Sequence, residues 1–145
     1  SLRILLVRHG LSSFNLEHRI QGRDDLSSLT EEGLRQARVT GEALRDLPIT
    51  AAYSSPLRRA RDTAAALLAA HGGGLEPQLD DDLLEVDLAP WSGLLSREVQ
   101  ERFPDDHRHL CLPMGSVYHL ERSRGSRMQL DPIHHDAETP PFEQA

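Results

Sequence analysis

A chain of 145 residues has room for one domain that buries about 70% of its unfolded surface, and 38% apolar but only 4% aromatic residues imply an aliphatic core. The net charge of −7 excludes a broad nucleic-acid or membrane-surface function, and because all 16 cationic residues are arginine there is no lysine for Schiff-base, pyridoxal or P-loop chemistry. Cys111, the one cysteine, excludes an internal disulfide and a cysteine metal cluster, and no apolar run approaches the ~18 residues of a membrane span, so a cytoplasmic protein is expected.

Leu2–Val7 is a nearly unbroken aliphatic run, too short for the apolar part of a signal peptide and suited to a central parallel strand covered on both faces. After a polar loop, LTEEGLRQARVTGEALRDLP reads as a helix. Thr30 caps it, Glu31 and Glu32 complement its positive end, Leu34, Ala37, Gly41, Leu44 and Leu47 share one face, and Pro48 stops it. Ile49–Ser55 reads as a second short strand. In SSPLRRARDTAAALLAAHGGG, Ser55 is the expected cap, Pro56 the first helical residue, and the glycines at 72–74 the stop. Its apolar face is Leu57, Ala60, Ala64, Leu67 and Leu68. Leu83–Val86 reads as an extended segment and SREVQERFP as a helix closed by Pro104. Strand, helix, strand, helix with short links implies an α/β fold, a mostly parallel sheet flanked by helices. A single domain over residues 1–130 is expected, with 131–145, rich in proline, histidine and acids, as a loose tail.

In open α/β sheets ligands bind beyond the carboxyl ends of the strands. Arg8-His9-Gly10 follows directly on the first strand. Ser54-Ser55 ends the second and feeds a helix that begins with Arg58, Arg59 and Arg61. Guanidinium forks and a helix N-terminus both suit phosphate oxygens. Three cations in the first turns oppose the helix dipole, an arrangement that an anion between them would explain. Read singly, the arginine pair is a solvated surface cluster facing abundant acids. The two groups together, each at a strand's carboxyl end, point to an anion pocket.

The stretches LLVRHGLSSFN, RIQGRDDLSSLTEEGLRQA, YSSPLRRARDTA and LLEVDLAPWSG, in this order over residues 2–104, resemble the histidine phosphatase superfamily, in its phosphoglycerate-mutase-like branch. The LSSFN variant is most similar to plant and cyanobacterial members, which include phosphatases acting on 2-carboxyarabinitol 1-phosphate; broad-specificity sugar-phosphate phosphatases stand close by. The resemblance implies a metal-independent phosphomonoester hydrolase without a cofactor, acting on a small phosphorylated metabolite. It implies that His9 is the nucleophile that takes the phosphoryl group, that Arg8 and Arg59 hold the equatorial oxygens, and that Asn15 donates a hydrogen bond to them. Glu85 is the implied proton donor to the leaving group, Gln21 and Gly22 line the substrate side, and Arg58 flanks the site. The chemistry suits these residue types. A nucleophilic imidazole must be neutral, a loose phosphoryl transition state needs positive charge and positioning, and a sugar alkoxide needs a proton as it leaves.

The sequence departs from the family pattern in three places. Leu11 and Ser12 stand where the family often has an acid and a threonine, and Ala89 and Pro90 precede Trp91. After ERFPDDHRHL the family continues through a long helix, a strand ending in a second histidine, and closing elements, on the order of 55 residues; 41 residues follow Pro104. LPMGSVYHLERSRGSRMQLDPIHH resembles the closing hairpin, which implies a shortened C-terminal part without that histidine. His107 and His109 lie in a polar segment, His119 alternates within SVYHLE, and the adjacent His134, His135 and Asp136 read as incidental rather than as a metal site. Three readings stand at this point: an active phosphatase in which another group stands in for the second histidine, an incomplete member that binds phosphate or phosphoesters but turns over poorly or not at all, and an interaction module using the acidic surface, with the Arg8-His9-Gly10 pocket vestigial. A mutase ranks below the phosphatase, because no basic insertion follows Gly93. A fragment of a longer protein and a homodimer covering the missing inner strand are also open.

Overall fold

The structure, a computed structural model, describes residues 2–85 and 87–103 and two further strands, 117–121 and 129–134. In chain order they form β1 (Arg3–Val7), α1 (Ser13–Leu16), α2 (Glu31–Ala43), β2 (Tyr53–Ser54), α3 (Arg58–His71), β3 (Gln78–Leu79), a 3-10 turn (Asp81–Leu83), α4 (Ser96–Arg102), β4 (Val117–Glu121) and β5 (Gln129–His134). Among these residues no helix is long and apolar enough to cross a membrane.

The centre is the α2–α3 pair. Thr30 accepts from the Gly33 amide and starts α2, and two glutamates in the first turn complement its dipole. Ala37, Gly41 and Leu44 are buried as the periodicity predicts, but the helix ends at Ala43, ahead of Pro48. Leu44, Leu67 and Leu68 form the core cluster, with Leu5, Leu47, Ala52 and Leu75 packed against it. The helices come close because residue 41 is glycine: a Cβ there would run into the Leu67 carbonyl and Ala70 Cβ. α3 ends where its glycines predict, with Gly72 at φ 80° in the left-handed cap position.

The start of α3 differs from expectation. Leu57, not Ser55, is the cap residue and makes no side-chain cap bond. Asp25 fills the place, its Oδ1 accepting from the Arg58 amide at 2.7 Å. Part of the negative charge expected at this helix start therefore comes from the protein's own loop.

β2 and β3 form a two-stranded parallel sheet, while β1 joins a three-stranded sheet of order β1-β4-β5. In it β1 pairs antiparallel with β4, Leu5 opposite His119, and β4 pairs antiparallel with β5. This corrects the parallel placement of β1 within the described residues. An aliphatic run specifies burial, whereas strand direction is set by a partner more than a hundred residues away. Nor is β1 covered on both faces, since Ile4, Leu6 and Val7 are exposed.

The antiparallel β4–β5 pair agrees with the hairpin expected from the sequence. β5 continues to His134, so the loose tail expected from Asp131 begins as a strand. Among the described residues β5 is an edge strand, a position that accommodates Pro132. Leu83–Val86 is also corrected. Asp80 caps the 3-10 turn by accepting from the Asp82 amide, and Leu83 and Glu85 are exposed. Residues 104–116, 122–128 and 135–145 lie outside the described residues, with Cys111, His107, His109, His135 and Asp136 among them.

Candidate active site

β1 delivers Arg8, His9 and Gly10 to a loop clasped by both central helices. Gly10 is buried against the backbone of Gly33, where a side chain on either glycine would collide. The Gly10 amide donates to Thr63 Oγ1 on α3 at 3.0 Å, and the Leu11 amide donates to Gln36 Oε1 on α2 at 2.9 Å. The Leu11 carbonyl accepts from both the amide and the hydroxyl of Thr30, each at 2.9 Å. Thr63 also donates its hydroxyl hydrogen to the Arg59 carbonyl at 2.7 Å.

Within this loop His9 Nδ1 lies 2.8 Å from the Gly10 carbonyl. A carbonyl only accepts, so Nδ1 carries the proton and Nε2 keeps its lone pair. Burial lowers the His9 pKa to about 4; the Gly10 carbonyl opposes this, and the charges of Arg59 and Arg8 add to it. At neutral pH the imidazole is uncharged and nucleophilic on Nε2, beside two guanidinium cations.

Among the described residues Arg59 is the largest fully buried side chain, only 2% exposed. Its Nη2 donates to the Gly22 carbonyl at 2.6 Å and its Nη1 to the Asp24 carbonyl at 3.1 Å. Burial draws its pKa down, opposed by the charges of Glu85, Asp25 and Asp24. Arg58 is exposed, and so is Arg61, whose Nε is 3.9 Å from Asp62 Oδ1. A single turn of helix thus holds a buried cation between two exposed ones.

Asn15 sits in the short helix α1, capped by Ser12. Ser12 is fully buried; its hydroxyl accepts from the Asn15 amide at 3.2 Å and lies 2.8 Å from Asn15 Oδ1 and 2.8 Å from Gln21 Oε1. A single hydroxyl hydrogen serves one acceptor, so turning the Gln21 amide to make Nε2 the donor satisfies the set. Asn15 Oδ1 also accepts from the Ser12 amide at 3.2 Å, which leaves Nδ2 to donate elsewhere. Gln21 is half-buried and turned to Ser12, and Gly22 is buried with its carbonyl on Arg59.

Glu85 is exposed, contrary to the burial that its apolar flanks suggest, and its charge acts on Arg59. The loop that carries it is tied to the Gly22 loop by Arg23 Nε, which donates to the Glu85 carbonyl at 2.9 Å. Among the described residues no group of three or more His, Cys, Asp and Glu side chains is placed to hold a metal ion.

Sequence reasoning missed Ser12, Gln36 and Thr63. Ser12 carries a readable signal, a serine three residues before a side chain able to return its hydrogen bond. Gln36 and Thr63 are polar residues on the buried faces of α2 and α3, a position at which a partner must exist.

The sequence profile of the histidine phosphatase superfamily (branch 1) matches residues 4–124. The 2-carboxy-D-arabinitol-1-phosphatase of Triticum aestivum is 41% identical over 70% of this chain and 20% of its own length. Phosphoserine phosphatase 1 of Hydrogenobacter thermophilus is 37% identical over 74% of this chain and 49% of its own. The chain therefore spans between about a fifth and a half of these relatives. A mycobacterial glucosyl-3-phosphoglycerate phosphatase solved with VO3 is 35% identical, with a TM-score of 0.66 over 72% of this chain and 50% of its own. A phosphoserine phosphatase of Entamoeba histolytica, 17% identical with a TM-score of 0.72, shares the fold over 92% of this chain. With the profile matched over most of its length, the chain belongs to the histidine phosphatase superfamily.

Proposed function

We propose that the chain carries the catalytic half-site of a phosphomonoester hydrolase acting on a small phosphorylated metabolite. The observation that carries this reading is His9, held with its proton on Nδ1 by the Gly10 carbonyl and kept neutral by burial beside Arg8 and Arg59. The Nε2 lone pair attacks phosphorus and the bond from phosphorus to the ester oxygen breaks. The departing oxygen takes a proton from Glu85. Water then attacks the phosphohistidine, Glu85 accepts its proton, and phosphate leaves with His9 restored. Arg8, Arg59 and Asn15 Nδ2 stabilise the charge on the equatorial oxygens, the dominant contribution in a loose transition state. Gln21 and Gly22 act through their neighbours, Gln21 on the Ser12–Asn15 cap and Gly22 on Arg59.

The test is phosphoryl labelling with an aryl phosphate. Acid-labile, base-stable label on the parent and none on His9→Ala is the expected result; label persisting in the mutant refutes the assignment. A second reading, phosphate binding with little turnover, draws support from the exposure of Glu85. Vanadate binding without burst or steady-state hydrolysis would favour it.

A further inference from the structure

We propose that Gln36 is a positioning residue for the nucleophile, fixing through the Gly10–Leu11 peptide which ring nitrogen of His9 bears the proton. This inference rests on the reading of His9 as the nucleophile. The two hydrogen bonds concerned lie at opposite ends of one peptide unit. The Gly10 carbonyl accepts from His9 Nδ1 at 2.8 Å, and the Leu11 amide of the same unit donates to Gln36 Oε1 at 2.9 Å. No peptide bond in the described residues is cis, so this C=O and N–H point in opposite directions. The plane is held between the imidazole on one side and α2 on the other.

Such a plane needs holding. Glycine at residue 10 brings no side chain of its own to oppose turning of the peptide, and a turn would carry the carbonyl away from the ring. The imidazole would then lose the acceptor that places its proton on Nδ1, and Nε2 would take the hydrogen and cease to be nucleophilic. Gln36 is suited to prevent this. It is 7% exposed, stands in the interior of a helix, and presents an acceptor that the Leu11 amide can only donate to. A hydrogen bond at the amide end also polarises the carbonyl at the other end, strengthening its hold on the ring. Thr63 secures the preceding Gly10 amide, so consecutive peptides are anchored from different helices. Only the Gln36 bond belongs to the peptide that touches the imidazole.

Nitrogen-15 NMR of the full chain reads the His9 tautomer directly, apart from any turnover. The parent should show His9 with the proton on Nδ1. In Gln36→Met, of similar length but without the acceptor, the ratio of Nδ1–H to Nε2–H should fall at least tenfold. The rate of His9 labelling by an aryl phosphate should fall with it, and Gln36→Glu, which retains an acceptor oxygen, should recover most of the Nδ1–H form. An unchanged tautomer in a folded Gln36→Met overturns the proposal. A changed tautomer in a protein whose parent never labels at His9 supports the hold of Gln36 on the ring and refutes the nucleophile reading beneath it. If Gln36→Met does not fold, the parent alone decides: scalar coupling across the hydrogen bond from the Leu11 nitrogen to the Gln36 side-chain carbonyl supports the clamp, and its absence overturns it.

Discussion

Replacing Thr63 by valine removes one oxygen and leaves the shape of the side chain unchanged. That oxygen accepts from the Gly10 amide at 3.0 Å and donates to the Arg59 carbonyl at 2.7 Å, with residues 10, 59 and 63 all buried. The helix retains its own bond to the Arg59 carbonyl, so losing that contact costs little. Stranding the buried Gly10 amide costs about 1–3 kcal/mol. A total of about 2 kcal/mol, at the unfolding entropy usual for this length, lowers Tm by about 7 °C. Valine and threonine are alike in helix propensity and volume, so neither obscures the result. Calorimetric melts of the parent, Thr63→Val and Thr63→Ser measure it, with vanadate titration reporting on the loop beside His9. Serine keeps the hydroxyl and should hold most of the stability and affinity. A Thr63→Val protein melting within about 1 °C of the parent would refute the reasoning, as would serine and valine variants equally destabilised.

Arg59→Ala should weaken vanadate binding by about 2 kcal/mol or more and destabilise the Gly22–Asp24 loop, whereas exposed Arg58→Ala should change binding by less than ~0.5 kcal/mol; equal losses in titration would contradict the burial of one and exposure of the other. His9 has a folded pKa of about 4 against an ordinary 6.5. The unfolded chain therefore takes up a proton in that window which the folded protein does not. Stability falls as pH drops from about 6.5 towards 4, by about 3 kcal/mol from this group, so melts of His9→Asn should show a shallower acid loss than the parent. The acid limb of kcat/KM should likewise centre near 4. Glu85→Gln should slow alkyl phosphates far more than aryl phosphates, because an aryloxide leaves with little help from an acid; equal slowing would leave Glu85 a binding role alone.

α2 and α3 were legible because each announced itself twice, by periodicity and by punctuation. Thr30 and the two glutamates after it start α2, the glycine at 72 ends α3, and the buried leucines recur at helical spacing. α1 was not legible, being a four-residue helix without a face to bury. Strand direction was not legible either, since Arg3–Val7 has the same composition whichever way its partner runs. Glu85 misled through its flanks. The acids at 80–82 form a capped turn that leaves Leu83 outside, so the apolar letters beside Glu85 do not mark a buried strand. At the site, the chemistry-bearing residues stand in recognisable strings, and the residues that orient them do not. Gln36 and Thr63 meet the histidine loop only after two helices have packed, and a single sequence carries that encounter merely as polar residues on apolar faces.

The way Arg59 is held bears on ionic strength. Its guanidinium is hydrogen-bonded to the carbonyl oxygens of Gly22 and Asp24, which solvate a cation without cancelling its charge as a bonded carboxylate would. Because the group is buried, dissolved ions cannot gather around it, and the ~10 Å screening length of ordinary buffers governs only the exposed arginines. An anion that reaches the pocket meets a charge on which dissolved salt has little effect, while one still approaching feels an acidic, salt-sensitive surface. Raising salt should therefore hasten association by weakening the repulsion of a chain with net charge −7, and leave the dissociation rate almost unchanged. The protein keeps its attraction inside and its repulsion outside, and salt acts on the second alone.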